Sequence, residues 1–68
     1  MINIVKNRLL EIRLGLGYKY AKDFAVFLGL KGSMYSLIEN NKKNVNLDNA
    51  FEIAEKLNMN IEDIWYKE

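Results

Sequence analysis

The sequence predicts an all-α fold, five short helices around one core, in a single domain over residues 1–68. Three observations lead there. Apolar residues recur at helical spacing in successive short stretches. Glycine or asparagine stands where each stretch must stop or the next begin. No linker, low-complexity tract, internal repeat or proline divides the chain. A core of this size is marginal, so association into a dimer would help it.

The first helix is expected over about Ile4 to Leu14. Val5, Leu9, Ile12 and Leu16 supply its stripe at i, i+4, i+7 and i+11, Asn3 its N-cap, and Gly15 and Gly17 its end. The second runs from about Tyr20 to Leu28, with Ala21, Phe24, Ala25 and Leu28 on one face and Gly29 at a left-handed end. The third spans roughly Gly32 to Asn40. Met34, Tyr35 and Ile38 share its apolar face, while Gly32, Ser33, Ser36 and Asn40 point away. Small Ala25 lets the third helix cross close to the second, the geometry of a helix-turn-helix whose second helix is offered to a partner. A polar, basic loop follows over residues 41–45.

Asn46 caps the fourth helix, where Leu47, Ala50, Phe51, Ala54 and Leu57 repeat at helical spacing. Asn58 takes the left-handed position after it. Asn60 then caps a short fifth helix from Ile61 to about Tyr66, with Asp63 placed to complete a capping box. Ile61 and Ile64 are expected to close the core.

Charge is distributed unevenly. The net value is only +1, but residues 1–43 carry eight basic side chains against three acidic ones, a balance of +5, and residues 44–68 carry two against six, a balance of −4. A one-faced phosphate footprint needs this division, although ordinary solvated charge also produces it. Without cysteine the chain has no disulfide or thiolate metal site, which suits a reducing cytoplasm. No signal peptide or membrane span is legible.

Catalysis finds little to work with. Histidine is absent, Ser33 and Ser36 have no evident base to activate them, and Asp48, Glu52 and Glu55 read as an acidic surface rather than a metal site. No enzyme activity, cofactor or metal is expected.

The run FA-x-FLG-L-(x)4-Y-(x)2-IEN-(x)-K, Phe24 through Lys42, resembles the Cro/repressor-type (XRE-like, lambda-repressor-like) helix-turn-helix of phage and bacterial regulators. The likeness extends upstream over Asn7 to Tyr18 and downstream over Asn46 to Trp65. It implies a small phage- or prophage-type repressor that binds double-stranded DNA with its third helix in the major groove. It also implies phosphate contacts from Lys19, Tyr20 and Lys22 at the start of the second helix and from Asn40, Lys42 and Lys43 after the third. Base contacts would come from Lys31, Gly32, Ser33, Ser36 and Leu37. A structural ion pair would join Arg13 to Glu39, and Met59, Trp65 and Tyr66 would form a homodimer contact.

The sequence departs from the family pattern on the base-reading face. Gly32 has no side chain, serine cannot read a base with a fork, and Leu37 can touch only a thymine methyl. Ala21 stands where relatives begin the second helix with glutamine, and Lys31 where they cap the third with serine or threonine. Sequence preference is therefore expected to rest on few base contacts and on DNA shape. The same deficit supports an alternative, a helix-turn-helix used to bind a protein partner through Met34 and Leu37, as an antirepressor, antitoxin-like module or co-regulator.

Overall fold

The computed structural model describes residues 5–67. In order these form β1 (Val5–Asn7), α1 (Leu9–Gly15), α2 (Ala21–Leu28), α3 (Gly32–Glu39), α4 (Leu47–Leu57), α5 (Ile61–Ile64) and β2 (Trp65–Lys67). The architecture is five helices with one small antiparallel ribbon. In the ribbon Val5 pairs with Lys67, Lys6 with Tyr66 and Asn7 with Trp65.

The ribbon corrects both ends of the expected helical pattern. The first helix begins at Leu9, not near Ile4, and the fifth ends at Ile64, not near Tyr66. The physical reason is pairing. Arg8 N–H donates to the Ile64 carbonyl at 2.8 Å, and the segments on either side satisfy their backbone groups across the ribbon instead of within helices. Trp65 accordingly adopts extended dihedrals, φ −108° and ψ 142°. The proposed Asn3 cap lies outside the described residues. Leu16 does not join the apolar stripe of α1, being 56% exposed beyond the helix end.

The core joins Leu9 of α1, Phe24, Ala25 and Leu28 of α2, Tyr35 and Ile38 of α3, Ile53 and Ala54 of α4, and Ile64 of α5. Ala25 is fully buried, and beside it the Phe24 and Tyr35 rings meet edge to face with centroids 5.5 Å apart. That contact locks α2 against α3. On α4 the buried stripe is Ala50, Ile53 and Ala54, whereas Leu47 and Phe51 are exposed. The expected stripe on that helix was rotated: two overlapping apolar series exist, and Ile53 decides which one faces inward.

Four helices end alike. After α1, Gly17 has φ +92°, and Tyr18 N–H closes on the Arg13 carbonyl at 3.0 Å. After α2, Gly29 has φ +76°, and Leu30 N–H closes on the Ala25 carbonyl at 2.8 Å. After α3, Asn41 has φ +61°, and Lys42 N–H closes on Leu37 at 2.8 Å. After α4, Asn58 has φ +56°, and Met59 N–H closes on Ala54 at 2.9 Å. Each is the six-to-one closure around a left-handed residue that satisfies the last free carbonyls. Asn46 accepts the Asn49 N–H at 2.8 Å to start α4, and the Asp63 carboxylate accepts the Asn60 N–H at 3.0 Å to start α5. Lys56 of α4 reaches the end of α2, donating from Nζ to the Leu28 carbonyl at 3.1 Å.

Candidate nucleic-acid interface

The buried face of α3 is set by Tyr35 and Ile38, with Met34 half-buried beside them. Its opposite face carries Ser33, Ser36, Leu37 and Asn40, at i, i+3, i+4 and i+7, all exposed. Lys31 sits at the N-cap position of this helix without a side-chain cap, and Gly32 follows in its first turn. A Cβ built on Gly32 would meet nothing within 4 Å, so internal packing does not demand glycine there. The five residues expected to face bases thus share one exposed surface of α3 and its entry.

Two polar segments flank that surface. At the start of α2, Tyr20 holds the extended N-cap conformation and is exposed. Lys19 Nζ lies 5.6 Å from the centre of its ring, and Lys22 is exposed in the first turn. The first amides of a helix lack intrahelical acceptors, and with lysine beside them they suit an anion. Beyond α3, Lys42 and Lys43 are exposed. Asn40 is folded back on its own helix, its Nδ2 donating to the Ser36 carbonyl at 2.9 Å.

One buried arginine ties the approach to α2 to the end of α3. Arg13, 8% exposed, donates from Nε to Glu39 Oε2 at 2.9 Å. Its Nη1 donates to the carbonyls of Tyr18 and Lys19 at 3.1 and 2.7 Å. The same Glu39 oxygen accepts from the Tyr35 hydroxyl at 2.6 Å. Tyr35 is fully buried, and burial first, then the bond to the Glu39 carboxylate, raises its pKa far above the ordinary phenol value. Tyr35, expected only on the apolar face of α3, thus also joins this cluster. The available signal was its i, i+4 spacing from Glu39.

The residues expected at a two-fold contact are distributed differently. Met59 and Trp65 are partly buried and pack against the core. Tyr66 is exposed on β2, with the Arg8 guanidinium 4.3 Å from the centre of its ring. Among the described residues no helix is long and apolar enough to cross a membrane.

A family model described as helix-turn-helix matches residues 9–64. No curated protein matches the chain.

Proposed function

Because the chain belongs to the lambda-repressor-like helix-turn-helix family, we propose that it regulates transcription by laying α3 in the major groove of double-stranded DNA. Ser33, Ser36 and Leu37, with Lys31 and Gly32 at the entry, would face the bases. Lys19, Tyr20, Lys22, Asn40, Lys42 and Lys43 would face phosphates. The observation that supports this best is the Arg13 cluster. A single guanidinium fixes the approach to α2 and the end of α3 relative to each other, the two segments that must straddle a groove together. In this reading the protein is a cytoplasmic homodimer and a repressor of phage type, each protomer reading one half-site.

The base-facing residues carry no amide or guanidinium fork, so binding energy comes mainly from phosphate contacts and sequence preference from few bases and DNA shape. An electrophoretic shift against random genomic fragments tests the reading. Complexes should form at about 50 mM salt and weaken by orders of magnitude at about 200 mM. Absence of any shift at the lower salt overturns it.

A second reading has one observation in its favour. Leu37 is 44% exposed at the centre of the α3 outer face, where a protein partner's apolar side chain could seat. Leu37→Glu would then abolish capture of that partner while the lysine substitutions do little.

A further inference from the structure

Asn7 closes β1 opposite Trp65, and its side-chain amide is used in both directions. Oδ1 accepts the Leu9 backbone N–H at 3.0 Å. Nδ2 donates to the Ile38 carbonyl at 2.8 Å and to Asn41 Oδ1 at 3.1 Å. A donor on one side and two oxygens on the other fix which way the amide points. Both of those oxygens belong to the turn that ends α3. The Ile38 carbonyl also receives the Asn41 N–H at 3.0 Å, and Lys42 N–H closes the turn on Leu37. Glycine is the usual occupant of such a left-handed position, but it would leave Asn7 without its side-chain acceptor.

We propose that Asn7 is a positioning residue for DNA binding, holding the turn after α3 through Ile38 and Asn41 so that Lys42 and Lys43 are set before they meet phosphate. The proposal rests on the DNA-binding reading and adds to it a link from the ribbon to the end of α3. Since Asn7 is paired with Trp65, the C-terminal strand supports the same link. Apparent affinity scales with the fraction of molecules already in the binding-competent arrangement, so an ordered turn strengthens binding without touching DNA itself.

Two substitutions separate this role from simple stability. Asn7→Ser keeps a side-chain oxygen near the Leu9 N–H but is too short to reach Ile38 and Asn41. Asn41→Gly keeps the left-handed turn and removes only the acceptor. Amide exchange at Asn41 and Lys42 in the free protein, melting temperature and duplex affinity are measured for each. Both variants should exchange faster at these amides, with α4 amides unchanged, and should bind duplex about two- to tenfold more weakly, the factor that one hydrogen bond carries. Asn41→Gly should melt no lower than the parent, because glycine accepts its φ freely, and the double variant should bind no more weakly than Asn7→Ser. Parental exchange at Asn41 and Lys42 in both variants, or parental affinity in both, overturns the proposal. A parent protein that shifts no duplex defeats the DNA reading instead, and the exchange rates alone then decide whether Asn7 holds the turn.

Discussion

Arg13 in α1 and Glu39 at the end of α3 meet through Nε and Oε2 at 2.9 Å, each side chain only 10% exposed. The pair stands 26 residues apart in sequence, so its geometry is a product of the whole fold. It reaches α3 at the residue just before the exposed Asn40 and the turn that carries Lys42 and Lys43. Tyr35 donates to the same carboxylate oxygen from the buried face of that helix, leaving Glu39 held from two directions.

Removing Arg13 would strand a largely buried carboxylate. Arg13→Ala should therefore lower stability by about 3–5 kcal/mol. Lys22→Ala, on the surface of α2, should change it by no more than about 0.5 kcal/mol. Urea midpoints report the difference, and equal midpoints for the two variants would contradict a structural role for the pair.

Tyr35 gives a signature at high pH. Its folded pKa is raised by burial and by Glu39, so the stability it contributes is fully present below the unfolded tyrosine value. As pH rises past about 10 the unfolded chain loses the proton first, and stability falls by about 1.4 kcal/mol per pH unit from this one group. Tyr35→Phe should begin less stable at pH 8 and lose less between pH 10 and 11. Parallel curves for the two proteins would contradict the buried, protonated phenol.

Most of the fold was legible because period and punctuation agreed. Phe24, Ala25 and Leu28 announced the buried face of α2, and Gly29, Asn46, Asn58 and Asn60 marked real helix ends. The ribbon was not legible. Val5 fits a helical stripe with Leu9 as well as it fits a strand, and only pairing with distant Trp65–Lys67 selects the strand. On α4 the choice between Phe51 and Ile53 depended on tertiary packing. The exposed face of α3 and the Tyr35–Glu39 bond at i, i+4 could be read from spacing along that helix, whereas the bond from Asn7 to Asn41 joins side chains that no local pattern brings together.

In the proposed homodimer the two-fold contact would rest on the exposed part of β2, where Tyr66 stands. Trp65 packs against the core, so Trp65→Ala would disturb stability and contact together. Tyr66→Ala is the cleaner variant. Sedimentation should show a dimer at about 100 µM for the parent and a monomer for Tyr66→Ala, with weaker operator binding because linked half-sites hold far more tightly than one. A monomeric parent at that concentration contradicts the two-fold contact.

The serines and the lysines should separate cleanly in their effects. Ser33→Ala and Ser36→Ala remove hydrogen-bonding groups from the base-facing surface and leave every positive charge in place. Selection from a randomised duplex pool should return an altered preferred sequence for each, at an unchanged salt dependence. Recovery of the parental sequence by both variants would contradict their placement against bases.

If, as proposed, this domain holds DNA chiefly through its phosphates, its affinity must fall steeply as salt concentration rises. Each phosphate neutralised contributes roughly −0.9 to the slope of log affinity against log salt. Lys42→Ala should flatten that slope by about one unit, Lys42→Ala with Lys43→Ala by about two, and Leu37→Glu should leave the lysine contribution in place. A slope that stays at the parental value when both lysines are gone, or a parent protein that binds no duplex at about 50 mM salt, would contradict that reading.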